Sequence, residues 1–477
     1  MSARWVAASA CAAVLSALAP PAAAQPSSEP PSSARPSVGM PTPPPLPPDY
    51  QPPRDDGQPD KDYQLSKECV SALPSTEQLD EKPWGQDLLR FNELPRFATG
   101  KDQTVAVIDT GVSQHDFLSG RLDGGGDYVA KDGDGLEDCD GHGTMVAGII
   151  AADPRDDRIG FRGIAPAARI VSIRQTSANY EFKDPATNEP QGAGNLITLA
   201  KAIVHAADTP GVTVINISIN NCRVTDGTVN PIERDLQAAL RYAVEQRDIV
   251  VVASAGNFPE GTCAEQNGPD PNNPTWLVFP PWFSDHVLSV AAVNDKGDLA
   301  EFSIQGPWVS VAAPGTDIIS LNPGDPTKLA NRTVGDKNQQ GPIQGTSFAA
   351  PYVAGLAALV RERFEKLTAK QVMNRIRTTA SHPAATGGHD DRIGYGMINP
   401  VAALTAFIPA EKGIPNDTAI PSPYAVPAPE HRDWTPLLVA MIGSGGGLVL
   451  LLLTLFVAHT IRRNKSAASV PRRKCGD

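Results

Sequence analysis

Short runs of apolar residues alternate with longer amphipathic stretches from residue 104 to residue 379. The short runs are β-rich and predict strands buried on both faces; they cover residues 104–108, 169–173, 212–217, 249–253 and 287–293. The longer stretches predict helices at 144–152, 196–207, 233–246, 348–364 and 369–379. Strands that alternate with helices predict an α/β fold, with a mostly parallel sheet and helices on both of its faces.

Composition divides the chain around this α/β region, which we place at residues 99–407. Residues 25–60 are rich in Pro, Ser and Asp, which predicts a linker. Residues 61–98 form an N-terminal extension with enough apolar side chains to dock on the domain but too few to fold alone. Residues 408–434 are again Pro-rich and predict a stalk. Within the domain, polar stretches at 174–195, 258–282 and 321–344 predict surface loops.

The two ends of the chain carry export and membrane signals. Arg4 precedes an apolar run, residues 5–19, that is too short to span a bilayer. The small residues Ala22, Ala23 and Ala24 follow as a cleavage site, so we predict a signal peptide at residues 1–24. Residues 435–460 predict a transmembrane helix, because their apolar stretch can cross a hydrocarbon core of ~30 Å. The alternative is a buried core helix, which fits poorly with the short tail that follows.

The tail, residues 461–477, is basic. Basic residues stay on the cytosolic side of a membrane, which predicts a cytosolic C-terminus and a domain on the extracytoplasmic, periplasmic side of the cell membrane. The formal net charge of -12 argues against a nucleic-acid partner, since phosphate binding needs a basic face.

Four of the six cysteines fall outside both the predicted signal peptide and the predicted cytosolic tail. These four are Cys69, Cys139, Cys222 and Cys263. An even number in an oxidising compartment predicts two disulfides, and the residues alone leave all three pairings open. A zinc site is the alternative, although no pair has close ligand spacing.

Three short blocks carry the candidate chemistry, and each is weak alone. Asp109 ends the first predicted strand ahead of Thr110 and Gly111, which places its carboxylate in the crevice where open α/β sheets bind ligands. His142 lies between two glycines at the start of a predicted helix, which leaves room for the imidazole. Ser347 lies where another helix begins, beside backbone N–H groups and the positive end of the dipole. The alternatives are a turn-forming Asp, a structural His and a Ser helix cap.

Together, these three side chains meet the needs of serine nucleophilic catalysis. A base must take the hydroxyl proton, and a carboxylate must hold that base in the right tautomer. The chain order Asp, His, Ser is that of subtilisin. The blocks DTG from Asp109, HGT from His142 and TSFAAP around Ser347 resemble the signature blocks of the subtilase family. The resemblance implies a subtilisin-like fold and a serine endopeptidase that needs no metal and no cofactor.

Further site residues follow from this resemblance. The segment ASAGN, residues 253–257, resembles the motif in which a subtilase Asn donates a hydrogen bond to the oxyanion. Asn257 is expected in that role, together with the backbone N–H of Ser347. The residues expected to bind substrate are Ser218, Asn220, Ser254 and Gly256. Many subtilases carry Ser-Leu-Gly-Gly here, but Asn220 and Asn221 replace the glycines, which suggests a narrower or unusual specificity pocket.

An acidic loop precedes His142 and contains Asp132, Asp134, Asp138 and Asp140. A calcium site is one interpretation, but the spacing does not match an EF-hand loop. We therefore expect a solvated acidic turn.

The whole layout resembles the mycosins, the membrane proteases of type VII secretion systems in mycobacteria and their relatives. The resemblance implies that the N-terminal extension wraps the domain, and that the disulfides are Cys69–Cys139 and Cys222–Cys263. It also implies secreted protein substrates, partners in the secretion membrane complex and a membrane anchor through the C-terminal helix. The alternative is a structural subunit that stabilises the secretion complex, with proteolysis secondary.

Overall fold

A seven-stranded parallel sheet forms the centre of the fold in the computed structural model, which describes residues 39–73, 82–156, 158–334, 340–413 and 435–467. The strands of the described chain are β1 Gln64–Leu65, β2 Thr104–Asp109, β3 Leu122–Asp127, β4 Arg169–Arg174, β5 Ser177–Lys183, β6 Pro190–Ala193, β7 Val212–Ile217, β8 Asn221–Val224, β9 Val250–Ser254, β10 Trp276–Phe279, β11 Leu288–Val293, β12 Val309–Pro314, β13 Ser320–Leu321, β14 Leu329–Ala330, β15 Arg332–Val334 and β16 Gln340–Pro342. The order across the central sheet is β12-β11-β9-β7-β2-β4-β3. The predicted parallel sheet is confirmed.

The inner strands are buried on both faces, which explains their continuous apolar sequences. Every residue of β9, β11 and β12 is buried, because helices cover the sheet on its two sides. The edge strand β3 has the sequence LDGGGD and gave no apolar signal, so the prediction missed it. Within the described ranges β3 pairs with β4 alone, and this pairing depends on the neighbouring strand more than on the side chains of β3.

The α-helices are α1 Trp84–Leu88, α2 His142–Ala151, α3 Leu196–Asp208, α4 Pro231–Arg241, α5 Thr346–Arg363, α6 Ala369–Thr379, α7 Pro400–Thr405 and α8 Thr435–Ala467. α5 is buried almost throughout and packs on β7, β9 and β11 as well as on α2. Asn195 and Asn230 directly precede α3 and α4, and their side chains cap the free N–H groups of the first turn. Residues Tyr242–Gln246 continue α4 as a π-helical turn.

The three predicted loops contain strands. β5 and β6 form an antiparallel hairpin within 174–195, and β5 also pairs with β1 of the extension. β10 lies within 258–282 and pairs with β8, while β13 to β16 form two small hairpins around 321–344. Apart from β5, these strands span only two to four residues, which is too short to show a clear period, so their pairing is set by tertiary contacts.

Residues 39–60 lie on the domain, which differs from the predicted linker. The indole N–H of Trp282 donates to the carbonyl of Met40 at 2.9 Å, and Arg241 donates to the carbonyl of Tyr50. Asp55 accepts from the hydroxyl of Tyr128 at 2.7 Å. The segment is held mainly by hydrogen bonds and ion pairs, and for that reason its low apolar content did not reveal the attachment.

The rest of the extension is anchored covalently and by apolar packing. Cys69 is bonded to Cys139, as the family resemblance implied, and the second disulfide joins Cys222 to Cys263. Leu89, Phe91 and Leu94 are buried in the main core.

The chain divides into two units, residues 1–411 and 412–477. In the second unit, the segment Ser444–Arg462 of α8 is long and apolar enough to cross a membrane, and it lies slightly C-terminal to the predicted span 435–460. The predicted signal peptide, most of the predicted stalk and the end of the predicted tail lie outside the described residues.

Candidate active site

Asp109, His142 and Ser347 come together at the carboxyl end of the inner strand β2, although 238 positions (347 − 109) lie between the first and the last along the chain. Asp109 is the last residue of β2, and His142 is the first residue of α2. Ser347 is the second residue of α5. His142 and Ser347 line the same open cleft of about 270 Å³, with Asp109 buried behind the imidazole.

The carboxylate of Asp109 contacts the imidazole of His142 directly. The distance from His142 Nδ1 to Asp109 Oδ1 is 2.6 Å, and the same oxygen accepts the backbone N–H of Thr110 at 2.8 Å. With Nδ1–H donating to Asp109, the neutral ring has its free lone pair on Nε2.

The electrostatics of this pair favour the charged ring. Burial by itself would lower the pKa of His142, but the charge of Asp109 and its hydrogen bond outweigh burial and raise that pKa well above 6.5. His142 is therefore able to accept a proton and keep it while the Asp109 carboxylate stays beside it.

Ser347 sits at a helix start, as the sequence predicted. Its backbone N–H is one of the first of α5 and has no partner within the helix. Among the described residues, no hydrogen bond joins the Ser347 hydroxyl to His142, although both residues line the same cleft. Catalytic hydrogen bonds are often long outside the reacting complex and tighten within it, so this geometry is compatible with His142 as the base.

Asn257 follows β9 and lines the cleft. Its Oδ1 accepts both the backbone N–H and the hydroxyl of Thr346, each at 2.9 Å, which turns Nδ2 away from Thr346. A methyl group placed on Gly345 would lie 3.0 Å from Ser347 Oγ and 3.4 Å from Asn257 Nδ2. Gly345 therefore leaves open a small space that both the hydroxyl and the amide border.

The four residues predicted to bind substrate divide into two pairs. Ser218 and Asn220 line the cleft, whereas Ser254 and Gly256 are buried behind it. Asn220 Nδ2 donates to the hydroxyl of Ser254 at 3.0 Å, and Ser218 donates its own hydroxyl to the carbonyl of Ser347 at 2.8 Å. Asn220 thus adds a side chain to the cleft wall, while Asn221 turns into β8 and borders a neighbouring pocket.

Two of the acidic-loop residues differ from the expected solvated turn. Asp138 is buried, and it accepts hydrogen bonds from Thr110 Oγ1, Gly141 N and both donors of Thr144. Burial raises the pKa of Asp138 to about 6, against the opposing effect of these hydrogen bonds. Asp140 accepts from the backbone N–H of Ala178 at 2.7 Å. The loop therefore ties the end of β2 to the start of α2, a role that the sequence pattern did not indicate.

The glycines around the site allow backbones to meet. A Cβ on Gly143 would lie 2.1 Å from the carbonyl oxygen of Gly111 and 3.1 Å from Asp109 Cβ. Any larger residue at position 143 would separate α2 from β2, and with it His142 from Asp109.

Comparison with known proteins shows the family of this chain. The family model described as "Subtilase family" matches residues 100–396. The chain belongs to the subtilase family. Within that family it is a mycosin: it is 43% identical to Mycosin-1 of Mycobacterium tuberculosis over 384 residues, covering 77% of this chain and 83% of the relative. It is 42% identical to Mycosin-1 of Mycolicibacterium smegmatis, covering 75% of this chain and 80% of the relative.

Solved structures of mycosins have the same fold. One described as "a serine protease MycP1, an essential component of the type VII (ESX-1) secretion system" is 40% identical, with a TM-score of 0.69, covering 77% of this chain and all (100%) of that chain. A chain of "an intact ESX-5 inner membrane complex" is 38% identical, with a TM-score of 0.69, covering 87% of this chain and 98% of that chain. The predictions of a subtilisin-like fold and of a serine endopeptidase are thereby confirmed.

Proposed function

We propose that Asp109, His142 and Ser347 form the catalytic triad of this endopeptidase, which acts in a type VII secretion system on secreted proteins. The observation that carries the proposal is the 2.6 Å contact between His142 Nδ1 and Asp109 Oδ1, directly behind the cleft that Ser347 lines. A buried carboxylate in this position sets the tautomer of the base and stabilises its charged form.

The mechanism begins when a substrate carbonyl enters the cleft. His142 Nε2 takes the proton of the Ser347 hydroxyl, and Oγ forms a bond to the carbonyl carbon. The carbonyl oxygen becomes an oxyanion, which accepts hydrogen bonds from the backbone N–H of Ser347 and from Asn257 Nδ2. These donors belong to a helix start and to an amide that Thr346 orients, so they are in place before the reaction.

The tetrahedral intermediate then collapses. His142 gives its proton to the leaving amine, the carbon–nitrogen bond breaks, and an acyl group stays on Ser347 Oγ. A water molecule then attacks the acyl carbon while His142 takes its proton. The bond to Ser347 Oγ breaks, His142 returns the proton to that oxygen, and the new carboxyl terminus is released. The Asp109 side chain remains hydrogen-bonded to the ring and stabilises the imidazolium in both halves of the cycle.

The cleft supports a restricted substrate range. Asn220 occupies wall space that glycine leaves open in many subtilases, and its amide is fixed by Ser254. A narrower cleft admits fewer side chains, so we propose cleavage of a few extended segments rather than general degradation.

The secretion role and the location rest on the relatives and on α8. Structures similar to this chain come from an ESX-5 inner membrane complex, and Ser444–Arg462 can cross a membrane. We propose a single-pass protein whose endopeptidase domain is extracytoplasmic and whose basic tail is cytosolic. Components of the secretion membrane complex are its proposed partners.

The test is Ser347→Ala in cells that carry the chain, with the N-termini of all secreted proteins mapped by mass spectrometry. New N-termini present with the wild type should disappear with Ser347→Ala. The matched control is Ser119→Ala, which changes an exposed serine that does not line the cleft and should leave the N-termini unchanged. Identical N-termini from wild type and Ser347→Ala would refute the protease role.

A structural role in the membrane complex is the second candidate, and the similarity to chains of the ESX-5 complex favours it. Native gels of solubilised membranes separate the two. A complex that survives Ser347→Ala but is lost on deletion of the gene assigns the structural role to the chain, and loss of the N-termini in the same Ser347→Ala cells assigns the protease role as well. A complex unaffected by deletion contradicts the structural role.

A further inference from the structure

Glu260 borders the cleft but belongs to none of the subtilase signature blocks quoted above. It lines the same cleft as His142, Ser347 and Asn257. Its Oε2 accepts a hydrogen bond from Asn257 Nδ2 at 2.8 Å. The amide of Asn257 is therefore held at both ends, by the donors of Thr346 at its oxygen and by the carboxylate of Glu260 at its nitrogen.

We propose that Glu260 is a positioning residue that orients the side-chain amide of Asn257 toward the oxyanion. This inference rests on the proposed function, because it assumes that Ser347 attacks a carbonyl and that Asn257 serves the resulting charge.

The reason is that the two ends of an amide differ: its oxygen accepts hydrogen bonds and its nitrogen donates them. A flip of Asn257 about its last torsion would exchange Oδ1 and Nδ2, and the oxygen would then repel both an oxyanion and the Glu260 carboxylate. In the flipped state, the backbone N–H of Thr346 would meet an amide N–H instead of an acceptor. Glu260 and Thr346 thus favour the same orientation from opposite ends of the group.

One N–H of the amide remains for the oxyanion. Nδ2 carries two protons, and Glu260 accepts one of them. Nδ2 also borders the space beside Ser347 Oγ that Gly345 leaves open, at 3.4 Å from a Cβ placed there. A carboxylate acceptor on the first proton polarises the amide and makes the arrangement more rigid.

The loop that carries Glu260 is held by a disulfide. Glu260 and Cys263 exchange backbone hydrogen bonds of 3.2 and 2.9 Å, and Cys263 is bonded to Cys222. The backbone N–H of Cys222 in turn donates to Thr262 Oγ1 at 2.7 Å. The disulfide therefore links the short turn that contains Glu260 to strand β8, which contains Cys222.

The charge of Glu260 gives the test a second readout. The carboxylates that act on His142 are Asp109, Asp138, Asp140 and Glu260, and Glu260 adds to the raised pKa of His142. Glu260→Gln keeps an oxygen acceptor for Asn257 but removes the charge. It should restore the rate lost in Glu260→Ala and move the acid limb of the pH–rate profile to lower pH, which a purely structural residue would not do.

The experiment uses the full-length protein in detergent and a fluorophosphonate probe, which needs no known substrate. Ser347 Oγ forms a bond to phosphorus, the phosphorus–fluorine bond breaks, fluoride leaves, and His142 takes the hydroxyl proton. The phosphoryl oxygen then lies where the oxyanion would. Rates are compared at a pH above the acid limb, where His142 is neutral in every variant. At that pH, loss of Asn257 as donor should slow labelling by up to about 10²–10³-fold, and Glu260→Ala should slow it by about 3–10-fold, the size of one net hydrogen bond.

A double-mutant cycle decides whether Glu260 acts through Asn257. In the Asn257→Ala background, Glu260→Ala should cause no further loss. The control Glu265→Ala removes an exposed carboxylate of the same loop that has no hydrogen bond among the described residues, and it should leave the rate unchanged.

Two results would overturn the proposal: an equal loss from Glu260→Ala with and without Asn257, or faster labelling of Glu260→Ala than of the wild type. A failure of the proposed function looks different, because wild type and Ser347→Ala would then label alike.

Discussion

Asp138 Oδ2 accepts two hydrogen bonds from Thr144, one from the backbone N–H at 2.8 Å and one from the hydroxyl at 2.6 Å. Its other oxygen accepts the hydroxyl of Thr110 at 2.8 Å, next to Asp109. A single buried carboxylate thus joins the residue after the acid to the helix that begins with His142.

Replacement of Asp138 by Ala should weaken both stability and catalysis. Buried donors on Thr110, Gly141 and Thr144 would lose their acceptor, at a cost of about 1–3 kcal/mol for each unsatisfied group. We expect a lower midpoint in urea unfolding and slower fluorophosphonate labelling. The matched control, Asp132→Asn, changes an exposed residue of the same loop and should alter neither. An Asp138→Ala variant with the wild-type urea midpoint and labelling rate would contradict the role of Asp138 in joining β2 to α2.

The pH dependence of the rate should follow His142. The base must be neutral to take a proton, and the Asp109 carboxylate raises the pKa of His142 above 6.5 despite the opposing effect of burial. Activity should therefore be low at acid pH and rise through a limb centred above 6.5. Asp109→Asn removes the charge, so the limb should move to lower pH while turnover falls by ~10⁴. The measurement is the labelling rate from pH 5 to pH 10, and a limb that stays in place in Asp109→Asn would be the contrary result.

Loss of the Cys222–Cys263 disulfide should affect both stability and rate. A disulfide typically contributes about 2–4 kcal/mol through the denatured state, and this one also holds the turn of Glu260. The double replacement by Ser should lower the urea midpoint and slow labelling about as much as Glu260→Ala does. A double variant with a lower urea midpoint but the wild-type labelling rate would show that the disulfide stabilises the fold without affecting the active site.

The attachment of residues 39–60 should depend on pH through His205. His205 Nδ1 lies 2.8 Å from Asp55 Oδ2, and this hydrogen bond raises the pKa of His205 above 6.5. A raised folded-state pKa means that the stabilisation is full below about 6.5 and is lost as pH rises through the folded value. Hydrogen exchange around residues 50–60, corrected for its intrinsic pH dependence, should be faster at pH 9 than at pH 6. The His205→Gln variant should lose this difference, and a variant that keeps it would exclude His205 as its source.

The fold could be read from local patterns, and so could the three residues of the proposed triad. The predicted strand at 212–217 matches β7, and the predicted helix at 369–379 matches α6, because burial on both faces or on one stripe leaves a periodic record in neighbouring residues. The acid, base and hydroxyl residues were recognisable for a related reason, since each lies in a short block whose glycines or helix start are local features. The disulfide pairing followed from the family resemblance, because counting cysteines left three choices open.

Other features were decided by contacts between distant residues. The hairpin β5–β6 and the edge strand β3 gain their pairing from neighbours, and residues 39–60 are held by partners such as Tyr128 and His205. Asp138 and Glu260 look like ordinary surface acids in the sequence. Only in the folded chain does Asp138 accept hydrogen bonds from Thr110 and Thr144. Likewise, only folding brings Glu260 to the amide of Asn257.

The sequence by itself determined which segments are buried and which residue types supply the chemistry, because hydrophobic burial is written into adjacent positions. The tertiary structure decided which polar groups meet. Hydrogen bonds and ion pairs are directional and join residues that can be hundreds of positions apart, so no local pattern records them.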